Sequence, residues 1–196
     1  MKLTLKRIFD IFFSALFLFL FSWLLLLAWL LAIADTRTNG IFTQERIGQF
    51  GNKFKIYKLR TFQINPSGDD AVISRIGQIL RNYKLDELPQ LFNVMKGQMS
   101  IVGPRPDIAG YYDELEGENR KILELKPGLT SLASLKYYNE DELLDQQEFP
   151  LQYNDEVLFP DKVQMNLHYY YHHSFCGDLR IILATCRFVL VKKIRI

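Results

Sequence analysis

The residues with the clearest chemical potential are two adjacent carboxylates, Asp86 and Glu87. Such a pair can divide the work of catalysis between a nucleophile or metal ligand and an acid/base partner. Pro89 suits the first turn of a helix that begins near Asp86, because a first-turn residue needs no backbone N–H partner. The positive end of that helix would stabilise ionised carboxylates and attract phosphate oxygens. The ordinary alternative is an N-cap aspartate followed by a first-turn glutamate, which has no catalytic role.

Cationic side chains near the dyad suit the recognition of phosphate. Arg105 stands between two prolines in a rigid turn, and a pre-organised guanidinium favours bidentate phosphate binding. Lys58 and Arg60 alternate with apolar residues on a predicted strand, so both can project from one face towards an anionic ligand. A solvated arginine in a surface turn and an ordinary polar strand face are the alternatives. The supporting turn consists of Gly103, Pro104, Arg105 and Pro106.

A long apolar segment precedes this chemistry. Residues 11–34 contain only two polar residues, Ser14 and Ser22, and 16 of the 24 are Leu, Ile or Phe. At about −0.3 to −0.6 kcal/mol each, those 16 favour membrane insertion by roughly 5 to 10 kcal/mol. The run is too long for a signal peptide, although Ala32-Ile33-Ala34 resembles a cleavage site. Residues 1–36 are therefore predicted to be an N-terminal membrane helix, and residues 37–196 a cytoplasmic catalytic domain.

The orientation of the membrane segment is open between two geometries. A straight helix of this length reaches about 36 Å and could cross the bilayer. Basic residues flank the segment on both sides, however, so the positive-inside rule favours a re-entrant helix with both ends cytoplasmic. The candidate break is at Ser22-Trp23, where proline is absent.

The remaining sequence predicts a mainly α fold with a small β-hairpin (α+β). Alternation predicts strands at 40–44 and 53–61 with a turn between them. Turn residues predict a loop at 63–70, apolar spacing predicts a helix at 72–82, and residues 178–193 are typical of a basic interfacial helix. The acidic run 139–148 is expected to be a solvated helix or loop.

Charge and cysteine content narrow the class of protein. Residues 1–61 carry a net charge of +6, residues 111–161 carry −9 and residues 162–196 carry +5. Cationic, apolar ends suit contact with anionic lipid, whereas a nucleic-acid binder more often carries a basic stripe on its folded body. The two cysteines, Cys176 and Cys186, are expected to be reduced thiols of a cytoplasmic compartment.

The motifs together closely resemble the bacterial sugar transferase family, the small monotopic phosphoglycosyl transferases. The resemblance extends over nearly the whole chain and rests on several blocks in the family's order. These blocks are residues 6–10, 41–48, 55–61, 85–90, 93–100, 102–106 and 126–130.

The resemblance implies transfer of a sugar phosphate from a UDP-sugar to undecaprenyl phosphate, giving UMP and a lipid diphosphate sugar. This reaction starts glycoconjugate assembly at the cytoplasmic face of the bacterial inner membrane. By the same likeness, Asp86 would be the nucleophile and Glu87 its assistant, with both engaging Mg²⁺, and Lys58, Arg60 and Arg105 would hold phosphates. A homodimer is compatible with the sequence.

Several features depart from the family pattern. The usual proline of the membrane helix is absent, Ser131 replaces a common glycine, and Asn166 occupies a position where many members have aspartate. The differences after residue 130 fall where sugar choice is expected to be determined, so the sugar and the glycan pathway stay open. His168 and His172 have metal-ligand spacing, with His173 adjacent, but an amphipathic interfacial stretch is the alternative. A non-catalytic membrane scaffold and a lipid-independent nucleotide-sugar hydrolase are the competing functions.

Overall fold

Two apolar helices form the N-terminal part of the computed structural model, which describes residues 3–64 and 71–191. Helix α1 (Leu3–Leu20) and helix α2 (Ser22–Thr36) meet at an angle of 69°. The predicted break at Ser22-Trp23 is wrong by one residue, because Ser22 already belongs to α2 and Phe21 joins the helices. Within the described residues, no individual helix has the length and apolar character needed to cross a membrane, whereas this bent pair has them jointly.

The predicted hairpin is confirmed. Strand β1 (Ile41–Ile47) pairs antiparallel with β2 (Lys53–Leu59), and a short 3₁₀ turn at Gln49–Gly51 joins them. The first strand extends three residues beyond the predicted end, because every residue up to Ile47 has a partner in β2.

A second antiparallel pair follows, formed by β3 (Phe62–Ile64) and β4 (Ala71–Ile73), and then helix α3 (Arg75–Asn82) begins. The prediction of a helix from residue 72 is wrong for its first three residues, since Val72 pairs with Gln63 in the sheet. Ser74 caps the helix, its hydroxyl accepting a hydrogen bond from the Gly77 N–H at 2.8 Å. The loop predicted at residues 63–70 is wrong for its first two residues, which belong to β3, and residues 65–70 lie outside the described residues.

The middle of the chain is a series of short elements. After a 3₁₀ turn at Leu85–Glu87 come α4 (Gln90–Met95) and β5 (Ser100–Val102). Two further 3₁₀ segments, Tyr112–Glu114 and Gly117–Glu124, precede β6 (Gly128–Thr130), which pairs parallel with β5.

The C-terminal part is helical, as expected for an α+β fold. Its elements are α5 (Leu132–Lys136), α6 (Glu140–Asp145), α7 (Pro150–Tyr153), a π turn at Asn154–Leu158, α8 (Phe159–His172) and α9 (Phe175–Val191). The acidic run is helical in its centre. The predicted interfacial helix is present but begins three residues earlier, at Phe175, and its predicted end at residues 192–193 lies outside the described residues.

The main core joins β2, α4, β5, α8 and α9, and the start of α1 packs against it through Phe9 and Phe13. Polar contacts reinforce this packing: Asp10 accepts hydrogen bonds from the Ser100 hydroxyl at 2.8 Å and the Ile101 N–H at 3.2 Å. Lys6 also pairs with the buried carboxylate of Asp178 at 2.5 Å. The first turns of α1 are therefore packed against the main core.

Candidate active site

The carboxylate dyad lies in the 3₁₀ turn that precedes α4. Lys84, with a left-handed φ of 55°, opens this turn. The prediction of a helix beginning near Asp86 is wrong, because the Leu88 N–H bonds to the Leu85 carbonyl three residues back and α4 starts only after Pro89. An α-helix dipole is therefore not what stabilises the dyad.

Glu87 is buried and is surrounded by cations. The Arg105 guanidinium approaches both of its carboxylate oxygens, with Nη2 2.6 Å from Oε1 and Nη1 3.4 Å from Oε2. Lys58 Nζ lies 3.4 Å and Lys84 Nζ 4.0 Å from the same Oε1. Burial alone would raise the pKa of Glu87, but the charges of Arg105, Lys58 and Lys84 outweigh it and hold the pKa well below its usual range. Glu87 is therefore ionised and fixes the cations around it.

Asp86 is also buried, and the charges of Lys58, Lys84 and Arg81 compensate for its burial only in part. Its Oδ1 atom has no hydrogen-bond partner. Burial, and secondly the negative charge of Glu87, raise the pKa of Asp86 to about 6. The environment thus pushes the pKa values of two neighbouring carboxylates in opposite directions, which is the usual way in which proteins assign them different chemical roles.

Two local structural features bring Lys58 and Arg105 close to the dyad. Asn93 of α4 is fully buried, donates to the Lys55 carbonyl at 2.7 Å and accepts from the Tyr57 N–H at 3.1 Å, which fixes β2 and hence Lys58 beside α4. At the end of β5, a side chain on Gly103 would meet the Lys126 carbonyl oxygen at 2.3 Å. Only glycine permits this close approach, which places the turn bearing Arg105 next to the dyad.

A cavity of about 440 Å³ opens beside Glu87. Its cationic end contains Arg46, Lys58, Lys84 and Arg105, and Asp86 adjoins this end without lining the cavity. Apolar side chains of α1 and α9 form one wall, namely Phe13, Phe17, Ile182 and Val189. The cavity therefore offers charge recognition at one end and hydrocarbon contact along one side.

The predicted site residues are not all brought together. Lys58, Glu87 and Arg105 meet around one carboxylate, whereas Arg60 follows the end of β2 and places its guanidinium 5.1 Å from the Phe62 ring centre, away from the cavity. The expectation that Lys58 and Arg60 share one strand face is wrong, because the strand ends at Leu59.

Other residues of the site have no role in the sequence predictions. Arg46 lines the cavity and donates to Gln44 at 2.6 Å. Asn93 is one of two polar residues, with Gln90, in a short helix that is otherwise apolar, and that exception is the signal that could have identified it. Arg46 carries no comparable signal, since its neighbours in the cavity come from distant parts of the chain.

The three histidines and Cys176 do not line the cavity, whereas Cys186 does. His168 and His172 are exposed, and their rings stack at 4.3 Å. Within the described residues, no group of three or more His, Cys, Asp and Glu side chains could hold a metal ion. Both cysteines are unpaired thiols, and Cys186 borders the cavity.

Comparison with known proteins identifies a family and several relatives of this chain. The sequence profile described as bacterial sugar transferase matches residues 1–192. The chain is 34% identical over 192 residues to the UDP-glucose:undecaprenyl-phosphate glucose-1-phosphate transferase of Caulobacter vibrioides, covering 92% of this chain and 67% of that protein. It is 34% identical over 200 residues to the exopolysaccharide production protein PSS of Rhizobium leguminosarum, covering 94% of each. A Klebsiella pneumoniae transferase with the same name as the Caulobacter protein is 31% identical over 94% of this chain, which spans 40% of that protein.

Proposed function

The chain belongs to the bacterial sugar transferase family, and from that premise we propose that it transfers a sugar 1-phosphate from a UDP-sugar to undecaprenyl phosphate. The enzyme is a phosphoglycosyl transferase. Its products would be UMP and an undecaprenyl-diphosphate sugar, the first lipid-linked intermediate of an exopolysaccharide or related glycan. Its place of action would be the cytoplasmic face of the inner membrane.

One observation carries this proposal: a buried carboxylate with a raised pKa stands next to one whose pKa is lowered by three cations, and the second lines the cationic end of a cavity that also has apolar lining residues. Asp86 retains a buried oxygen without a hydrogen-bond partner, while Glu87 is engaged by three cations. A nucleophile needs an oxygen that is not held by a hydrogen bond, and a diphosphate substrate needs the cations. A scaffold protein would need neither arrangement.

The chemistry follows from these roles. An Asp86 oxygen attacks the phosphorus next to the sugar, the bond from that phosphorus to the UMP oxygen breaks, and UMP leaves with the electron pair. The sugar phosphate is then held on Asp86 as an acyl phosphate. An oxygen of undecaprenyl phosphate attacks the same phosphorus, the bond to Asp86 breaks and the carboxylate is regenerated. Arg105 and Lys58 would stabilise the negative charge on the phosphate oxygens in both steps.

Mg²⁺ fits the donor set of this site. The unpartnered oxygen of Asp86 is the hard, anionic ligand that Mg²⁺ requires, whereas Glu87 is already surrounded by cations. Mg²⁺ commonly binds through one or two carboxylates and completes its coordination with substrate phosphates and water. Bound there, the ion would neutralise charge on the donor diphosphate.

The acceptor requires a site that is open to hydrocarbon. The bent pair α1 and α2 has an almost entirely apolar exposed surface, and α1 contributes Phe13 and Phe17 to the cavity wall. A re-entrant insertion of this pair into the cytoplasmic leaflet would bring the cavity to the level of lipid headgroups.

The test is UMP release by detergent-solubilised protein with Mg²⁺ and a panel of UDP-sugars, with and without undecaprenyl phosphate. We expect release that depends on the lipid for multiple turnovers and is lost in Asp86→Asn. Multiple turnovers without the lipid would instead indicate a hydrolase. Absence of release with every donor would favour the scaffold function.

A further inference from the structure

Polar side chains also line this cavity. Glu140, at the start of α6, and Lys162 of α8 both line it, and their side chains form an ion pair at 2.5 Å. The side chains are only partly exposed, 30% for Glu140 and 16% for Lys162. The pair therefore presents a charged donor and a charged acceptor at the cavity surface instead of on the outer face of the protein.

A second polar pair adjoins the first in the same cavity. Asn166 lies one helical turn beyond Lys162 on α8, is 2% exposed, and donates its amide to the Tyr112 hydroxyl at 2.8 Å. Burying an amide and a phenol is costly unless their hydrogen bonds are satisfied. Together Tyr112, Glu140, Lys162 and Asn166 form what we call the polar wall.

The polar wall lies close to the phosphate-binding cations. Glu87 first, and Glu140 in addition, raise the pKa of the Arg105 guanidinium, which places the Glu140 carboxylate within electrostatic reach of that cation. A ligand whose phosphate is bound by Arg105 could therefore extend its remaining atoms along either the polar wall or the apolar wall.

We infer that the polar wall is the hexose subsite of the donor site and that Lys162 and Asn166 determine which sugar is accepted. This inference rests on the proposed function, because it assigns the walls of one cavity to the two substrates of that reaction. The donor carries a ring with several hydroxyl groups, each of which needs donors and acceptors, and the acceptor carries hydrocarbon. The hydroxyl groups of a hexose can exchange hydrogen bonds with the charged and amide groups of the polar wall, whereas on the apolar wall they would lose their hydrogen bonds to water.

A wall of this kind can discriminate strongly between sugars. A site built to hydrogen-bond a substrate hydroxyl rejects an analogue that lacks or misplaces it far better than an apolar pocket does. Epimers such as glucose and galactose differ only in the direction of one hydroxyl group, so a fixed lysine and a fixed amide are suitable groups to distinguish them.

The test uses Lys162→Met and a matched control, Lys121→Met. Lys121 also pairs with a glutamate, Glu118 at 3.1 Å, but lies on the outer surface away from the cavity. The kcat/KM for UMP release is measured with UDP-glucose, UDP-galactose and their N-acetylated forms. We expect Lys162→Met to change the ratio between the preferred donor and its epimer by roughly tenfold or more, and Lys121→Met to leave it unchanged. An equal loss for all donors would overturn the inference.

Binding provides a second measurement that does not depend on turnover. In an Asp86→Asn background, calorimetry compares the affinities of UDP and of the UDP-sugars before and after adding Lys162→Met or Asn166→Ala. We expect weaker binding of the sugar nucleotides with little change for UDP. A parallel loss of UDP affinity would assign the wall to the nucleotide and overturn the inference. If the wild type releases no UMP from any donor, the proposed function fails, and this comparison still decides whether the wall recognises sugar.

Discussion

The raised pKa of Asp86 predicts that removing its charge stabilises the protein. The folded-state pKa is about 6 against an ordinary value of 3.8, a difference of about two units. At about 1.4 kcal/mol per unit, ionised Asp86 costs the folded state about 3 kcal/mol at neutral pH. Because the folded pKa lies above the unfolded one, the stability that protonated Asp86 contributes is present in full below about pH 4 and is lost as the pH rises through 6.

Asp86→Asn keeps the side chain neutral at every pH and should therefore be more stable than the wild type at pH 7.5. For a chain of this length, about 3 kcal/mol corresponds to a rise in Tm of roughly 6–12 °C. The difference should shrink between pH 6 and pH 4 and vanish below pH 4. Thermal unfolding in detergent across this pH range measures the difference in Tm. The exposed Asp145→Asn is the control, and its Tm should differ little from that of the wild type.

A lower Tm for Asp86→Asn at pH 7.5, or a gain that is the same at every pH, would refute this account of the dyad. The first result would mean that the Asp86 carboxylate has a stabilising partner in the folded protein, and the second that the gain in stability does not come from removing its charge. The role of Asp86 as the available nucleophile would then lose its physical basis.

Four further predictions concern the site and the packing of α1 against β5. The single-turnover rate of donor cleavage should fall about tenfold per pH unit below pH 6, because only ionised Asp86 can attack; a rate that is flat from pH 7 to pH 5 would contradict this. Arg105→Lys loses the two-point contact with Glu87 and should lower kcat/KM for the donor by roughly tenfold to a hundredfold, measured by UMP release. Asp10→Ala leaves two donors of β5 unpaired and should lower the free energy of unfolding by about 2–6 kcal/mol, whereas Asp10→Asn should lose less. Chelation by EDTA should abolish UMP release and added Mg²⁺ should restore it, while calcium should restore it poorly.

The sequence predicts the hairpin well because its signal is local. Alternation along β1 and β2 reflects which side chains face the core, with Phe54 and Ile56 buried and Lys53 and Lys55 exposed. The composition of residues 11–34 likewise identifies an apolar segment, and the chain bends within one residue of the predicted position.

Features that depend on tertiary contacts could not be predicted in this way. The 3₁₀ turn of the dyad depends on hydrogen bonds over three residues, which the sequence pattern of a helix start does not distinguish from an α-helical turn. Lys58 reaches Glu87 and Arg60 does not, because β2 ends between them, and a difference of one residue at a strand end is beyond pattern analysis.

The cavity is the clearest example of a feature that the sequence does not predict. Its walls combine Phe13, Arg105, Lys162 and Ile182, which are separated by up to 169 positions in the chain. No local sequence pattern predicts that these side chains lie together. Of the polar wall, only Asn166 is notable in the sequence, as a departure from the family pattern, and nothing there indicates that it lines the cavity.

Isotope exchange tests the central claim most directly. The protein is incubated with Mg²⁺, an accepted UDP-sugar and radiolabelled UMP, without undecaprenyl phosphate. A covalent sugar phosphate on Asp86 predicts that the label enters the UDP-sugar in the wild type and not in Asp86→Asn. Exchange that requires the lipid, in a protein that otherwise performs the transfer, would show that the phosphate passes directly from donor to acceptor and would contradict the assigned role of Asp86.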